Sequence, residues 1–180
     1  PKKLQFPFVI KPTDSSGSRG VKLIKDKIIL SKEFNATKSI SSDFKVLIEQ
    51  YIKGREYSLE GFMYDSKLYN TGLARRYYLP LSRTYPDFVE IEGVMPPPDL
   101  SIRLQKELIK IFEKANLALG IKNGPVKADL IIDNKKKIYV LEIASRSSST
   151  FAAYTQHYSN NTDCISANIY WALGKNPLKK

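Results

Sequence analysis

Cysteine and histidine are almost missing from this chain: Cys164 and His157 are the only ones in 180 residues. A single cysteine excludes an internal disulfide, and the pair leaves no ligand set for a structural zinc ion. A nucleophilic role for Cys164 has no nearby histidine to support it. It reads as a small packed residue in a reducing compartment, with the cytoplasm as the default. Long apolar runs are lacking too, and none approaches the roughly 20 residues that cross a bilayer. No membrane partner is expected. Tryptophan occurs once, at Trp171, where a core or interface role is simplest. Internal repeats and low-complexity linkers are absent. What remains suits one domain of ordinary size with a real core.

Acidic residues are outnumbered by basic ones, giving a net charge of +11. Nucleic acid is therefore one partner class to weigh. However, the excess is scattered lysine, as in Lys135–Lys137 and Lys179–Lys180, and an anionic substrate such as ATP also favours a basic cleft. Nucleic acid is the minor reading.

The most informative stretch is Phe8–Val21. Phe8, Val9 and Ile10 form an apolar, β-branched run that reads as a strand ended by Lys11, and Pro12 forbids a helix. Thr13–Gly20 is a small polar loop, and Val21–Ile24 reads as the returning strand. Such a hairpin tip can cradle phosphates through backbone N–H groups and serine hydroxyls, with Lys11 and Arg19 supplying charge. It is not a Walker A loop, because the lysine precedes the glycines. A plain flexible turn is the alternative.

Further along, a helix is expected near Ser31–Ser41, then strands at Lys45–Gln50, Glu56–Tyr64, Leu68–Tyr78 and Phe88–Val94. Asp99 or Ser101 caps a helix whose apolar residues, Leu104 to Leu119, recur at helical spacing until Gly120 stops it. Strands Val126–Ile132 and Ile138–Ile143 flank a charged turn, and a last helix spans Asp163–Leu173. Strands dominate and helices interleave, so the class is α+β with a largely antiparallel sheet.

Lys127-Ala-Asp129 and Leu141-Glu142-Ile-Ala-Ser-Arg146 form the second informative feature. If Asp133 faces Ile138 across the turn, Asp129 lies directly opposite Glu142. Ala128, Leu130 and Ile132 then share an apolar face with Leu141 and Ile143. Lys127, Asp129, Glu142 and Arg146 share the charged one. Opposed carboxylates repel unless compensated. A divalent cation compensates by taking both carboxylates, with phosphates and water completing its shell. Lys127 and Arg146 offer the other solution, a charge network without metal.

In order and spacing these elements resemble the ATP-grasp superfamily, and most closely its branch of carbamoyl phosphate synthase large chains and amino-acid ligases. The resemblance runs from Phe8 to about Pro177. Ile10-Lys-Pro12 with Ser16-Gly-Ser-Arg-Gly-Val21 resembles the phosphate-covering loop and its lysine. Ile48-Glu-Gln-Tyr-Ile-Lys-Gly-Arg-Glu-Tyr-Ser58 resembles the hinge between subdomains. Val126–Leu130 and Leu141–Arg146 resemble the two metal-bearing strands. The resemblance implies an ATP-grasp fold of two α+β subdomains clasping MgATP: a lid over residues 1–52 and a larger subdomain over 53–180.

By that resemblance Lys11 contacts the phosphates of ATP, covered by the backbone of Ser16, Gly17, Ser18, Arg19 and Gly20. Glu49 and the backbone of Gln50, Tyr51 and Ile52 meet the adenine, and Glu56 holds the ribose. Asp129 and Glu142 hold Mg²⁺ (or Mn²⁺). Arg146 stabilises the transferred phosphoryl group, where charge builds up. Arg75, Arg76 and Lys127 are candidates for anionic substrate. The implied chemistry is carboxylate–amine ligation through an acyl phosphate, with neither the acid nor the amine legible. Departures accompany the match. Ala144 stands where the family often has Asn, and Ser147-Ser-Ser149 where it often has glycines. Pro1 opens in the middle of the family fold, so an N-terminal substrate domain of a longer ligase is expected as partner. A nucleotide-binding module without ligase activity and a basic nucleic-acid-binding domain are the two alternatives.

Overall fold

The computed structural model describes residues 4–148 and 150–177. These form two compact units, one of residues 4–53 with 77–92, the other of residues 54–76 with 93–148 and 150–177. The sequence reading leaves 77–92 with the larger part.

In the first unit, β1 (Phe8–Pro12) is the middle strand of an antiparallel sheet, flanked by β2 (Lys22–Ile24) and β3 (Val46–Gln50). The strand does not stop at Lys11. It continues through Pro12, which pairs with Val46, because proline's fixed φ suits an extended strand end. Helix α1 (Leu30–Ile40) sets Leu30 and Phe34, one turn apart, against Phe8, Ile10 and Ile24. Gly20 closes the loop between β1 and β2 at φ +77°. A Cβ there would lie 2.9 Å from Pro12 Cγ and 2.8 Å from Ile40 Cδ1, so the close approach admits only glycine.

The second unit is built on a five-stranded sheet in the order β6 (Glu90–Val94), β5 (Lys67–Tyr78), β4 (Gly54–Tyr64), β7 (Gly124–Asp133) and β8 (Ile138–Ala144), of which residues 77–78 of β5 and 90–92 of β6 fall in the first unit. β4 and β5 turn at Asp65-Ser66, both at positive φ (48° and 66°), as a two-residue hairpin whose handedness matches strand twist. Helix α3 (Ile102–Ala118) covers one face. Its Leu108 and Phe112 are fully buried against Tyr57, Leu59, Leu73, Ala128, Leu130 and Ile132. Ser101 caps it, accepting from Leu104 N–H at 3.4 Å. Asp99, the other candidate cap, instead receives Arg55 and Arg75. No helix among the described residues is long and apolar enough to cross a membrane.

Two helices lie where none is expected: α2 (Leu81–Thr84) and α4 (Thr150–Asn160). The second has no clear apolar stripe, and its buried anchor is polar: Gln156 is 2% exposed and accepts from Cys164 Sγ of α5 (Cys164–Ala172). Periodicity cannot announce such a helix.

The β7–β8 pairing corrects the expected register while keeping its main consequence. Asp133 Oδ1 accepts from the N–H groups of Lys135 and Lys137, both at 2.8 Å, and Asp133 N–H donates to Lys137 O. This side-chain-locked turn is one residue tighter than assumed, so Ile132, not Asp133, faces Ile138. A bulge between Asp129 and Leu130 then restores the count, leaving Leu141 without a partner. Leu130 consequently faces Val140, not Leu141. Asp129 still faces Glu142.

Candidate functional site

Alternation along β4 puts Tyr57 and Leu59 into the core under α3 and sends Glu56, Ser58 and Glu60 to the other face. Across β4, Ser58 pairs with Asp129 and Glu60 with Lys127, and Asp129 pairs in turn with Glu142. The second unit therefore carries one polar sheet face.

Its centre is Asp129, 8% exposed. Oδ2 receives Lys127 Nζ at 2.7 Å and Arg76 Nη1 at 2.9 Å, and Arg76 also reaches Glu56 Oε1 at 3.1 Å. Oδ1 is buried and has no hydrogen-bond partner among the described residues. A buried, unpartnered carboxylate oxygen is costly and asks for a ligand. Glu142, directly opposite, is exposed. Two hard oxygen donors facing one another fit Mg²⁺, which is commonly held by one or two carboxylates plus phosphates and water. They do not form a self-sufficient cage: no cluster of three or more His, Cys, Asp or Glu suited to a metal occurs among the described residues. Ala144 adds no oxygen ligand.

Of the other candidates in this unit, Arg76 and Lys127 join Asp129, and Arg75 does not. Arg75 lies on the opposite face, 2.7 Å from Asp99 and stacked 5.4 Å from the Tyr57 ring. Arg146 follows the end of β8, exposed, with Nη1 donating to Ser147 O at 3.1 Å. Ser149, one of the departures from the family pattern, lies outside the described residues. Cys164 is buried, and burial pushes its thiol up to about 11, which suits packing rather than nucleophilic attack.

In the first unit, the loop Thr13–Gly20 is built for display. Gly17, Ser18 and Gly20 all sit at positive φ. Arg19 N–H and Val21 N–H turn inward to Ser16 O and Ser18 O, and Arg19 Nε donates to Ser16 O at 3.3 Å. No hydrogen bond among the described residues engages the amides of Gly17, Ser18 or Gly20. Successive amides left open at positive φ form an anion-binding concavity. Ser15 Oγ is likewise buried without a hydrogen-bond partner among the described residues. Lys11 Nζ pairs with Glu49 Oε2 at 2.6 Å from the neighbouring strand. The side chain of Gln50 holds the N-terminal segment through Gln5 O and Pro7 O, and Tyr51 N–H donates to Pro7 O at 3.4 Å.

Glu60 was not singled out from sequence, although Glu56, Ser58 and Glu60 alternate plainly in an otherwise apolar strand. It is 4% exposed, and burial pushes its carboxyl above the usual carboxylate range despite hydrogen bonding from Ser148.

The sequence matches the ATP-grasp domain over residues 4–154. It is 30% identical over 146 residues to D-alanine–D-alanine ligase of Buchnera aphidicola subsp. Schizaphis graminum, an alignment covering 78% of this chain and 44% of that protein. With the carbamoyl phosphate synthase large chain of Clostridium acetobutylicum, identity is 24% over 149 residues, 83% of this chain and 13% of the other. Among solved structures, L-amino acid ligase from Bacillus licheniformis superposes with a TM-score of 0.79 at 23% identity, over 96% of this chain and 40% of that one. The chain thus spans less than half the length of these relatives.

Proposed function

Because the chain belongs to the ATP-grasp family and has its α+β fold, we propose that it binds MgATP as the nucleotide part of an ATP-dependent carboxylate–amine ligase. The observation that carries this reading is Asp129: one oxygen saturated by Lys127 and Arg76, the other buried and free, and Glu142 opposite. In this reading the first unit is the lid over the phosphates and the second carries the metal and phosphoryl chemistry.

Each residue then has a task. The open amides of Gly17, Ser18 and Gly20 bind phosphate oxygens, and Lys11 exchanges Glu49 for phosphate. Glu49 and the backbone of Gln50–Ile52 meet the adenine, and Glu56 accepts from the ribose hydroxyls. Asp129 and Glu142 hold Mg²⁺ (or Mn²⁺), which when bound neutralises phosphate charge. Lys127 and Arg76 hold Asp129 in place, so neither is free to serve as a substrate clamp. A substrate carboxylate oxygen attacks the γ-phosphorus and ADP leaves. An amine then attacks the acyl carbon and phosphate departs. Arg146 compensates the charge on the phosphoryl group in both steps. These steps need positioning and fixed charge, not a cysteine or histidine base. ATP consumption is in keeping with the cytoplasmic setting expected from the single cysteine.

Thermal melting of the chain with ATP, with and without Mg²⁺, tests the proposal. At a hundredfold excess over Kd the expected rise is roughly 5–10 °C, dependent on Mg²⁺ and lost in Glu142→Ala. No response from a folded sample overturns it, and salt-sensitive binding of nucleic acid indifferent to Mg²⁺ would favour the rival reading.

A further inference from the structure

One peptide unit of the second compact unit has a charged side chain at each end. Arg146 Nη1 donates to Ser147 O at 3.1 Å, and Ser148 N–H donates to Glu60 Oε2 at 3.2 Å. That carbonyl and that N–H belong to the same planar peptide, in which they point to opposite sides. A carboxylate that fixes the N–H therefore also aims the carbonyl. Hydrogen bonding at one end of a peptide also polarises it, which strengthens its acceptor at the other.

Glu60 is itself well fixed. It stands directly across from Lys127 on β7, and the β4–β5 pairing shifts register between Glu60 and Gly61. Asn70 Nδ2 bridges that irregularity, donating to Glu60 O at 2.9 Å and Gly72 O at 3.0 Å. Bulges of this kind re-aim a side chain. The receiving turn is held from a second side, where Asn168 Nδ2 donates to Ser147 Oγ at 2.9 Å. Among the described residues no ion pair engages Glu60, although it is 4% exposed. Burying a carboxylate without an ion pair costs stability, so an apolar residue would serve a purely structural role better.

We infer that Glu60 is a positioning residue for Arg146, acting through the Ser147–Ser148 peptide to aim the guanidinium. The inference rests on the reading of Arg146 as the group that meets the transferred phosphoryl. Glu60 touches no substrate in this scheme. Its work is done through one peptide plane.

Binding of Mg²⁺ with a non-hydrolysable ATP analogue to the chain separates the possibilities. Arg146→Ala is expected to weaken binding about tenfold and Glu60→Ala several-fold, as for a lost charge-assisted hydrogen bond. Glu60→Gln keeps an acceptor oxygen and should stay within about twofold of the parent. If Glu60 acts through Arg146, the double variant Glu60→Ala/Arg146→Ala binds like Arg146→Ala alone. Additive losses, or a Glu60→Gln variant as weak as Glu60→Ala, overturn the inference. A second readout needs no nucleotide: exchange of the Ser148 amide hydrogen should accelerate about tenfold in Glu60→Ala and not in Glu60→Gln. Unchanged exchange in Glu60→Ala also overturns the inference. Should Glu60→Ala not fold, Ser148→Pro removes the donated N–H together with the hydroxyl that also reaches Glu60, and Ser148→Ala removes the hydroxyl alone; the affinity loss is expected in Ser148→Pro and not in Ser148→Ala. Failure of the parent chain to bind the analogue sinks the MgATP reading, and the exchange measurement still decides the tether.

Discussion

Carboxylates are pushed in opposite directions at the first unit's surface loop and inside the second unit's sheet, although the second unit's surface cap Asp163 is lowered as in the first. In the first, Asp14 is held below the usual carboxylate range by hydrogen bonds from Ser42 and then Ser41. Asp43 is held there by Ser41 and then Thr13. These groups sit at the surface, where the loop after β1 meets the end of α1, and their main partners are hydroxyls, supplemented by the Ser42 and Lys45 N–H groups and the Lys45 ammonium. In the second unit Glu60 is pushed up by burial. The first unit thus uses negative charge as an external knot to shape a backbone loop. The second takes negative charge into a sheet, where every oxygen must be accounted for.

The contrast is sharpest at Asp129. Asp129→Ala strands Lys127 and Arg76 beside a polar sheet face. The expected loss is about 3 kcal/mol, read as a lower urea midpoint for the second unit. Gly20→Ala probes the first unit where its backbone, not its charge, is committed. Positive φ together with overlap on Pro12 and Ile40 should cost roughly 1–3 kcal/mol, and the same unfolding experiment reads it. Next comes pH. Lowered carboxyls bind protons less readily folded than unfolded, so Asp14 and Asp43 contribute stability above the ordinary value of 3.8 and lose it as pH falls below. Glu60 has the opposite sign: stability drains as pH rises above 4.5, the ordinary glutamate value. Asp43→Asn should therefore flatten the acid side of the stability profile, and Glu60→Gln the side above it. Equal slopes in both variants would break the comparison. The smallest effect is expected from Lys11→Met. The Lys11–Glu49 pair is partly exposed, at 22% and 37%, so stability should move by less than about 1 kcal/mol. Nucleotide affinity should fall far more.

What sequence could reveal tracks the kind of force involved. β4 and β5 were legible as strands to within two residues at each end, and the helical spacing of Leu108 and Phe112 located α3, because burial imposes periodicity. Opposition of Asp129 and Glu142 was reached by alternation from a turn assumed one residue too long, and the bulge between Asp129 and Leu130 made up the difference. Three features were not legible. Helix α4 is anchored by Gln156, a polar contact with no periodic trace. The separation of Arg75 from Arg76 follows from alternation, but the choice of face depends on Asp99, remote in sequence. Glu60 alternates visibly with Glu56 and Ser58, but its partner Ser148, which reaches it through both side chain and backbone N–H, is remote in sequence.

The unpaired Leu141 has a consequence for how this hairpin tolerates change. A strict ladder transmits any alteration of the turn to every residue behind it, and a slip of one residue moves all side chains to the wrong face. Here the turn at Asp133–Lys137 and the carboxylate pair keep separate counts, joined at a slip joint between Leu130 and Asp129. The turn can therefore gain or lose a residue over generations, and the joint can absorb it before Glu142 is reached. Removing Leu141 itself would close the ladder with Glu142 still opposite Asp129, but it would use up that freedom: any further change in the turn would then carry Glu142 to the other face.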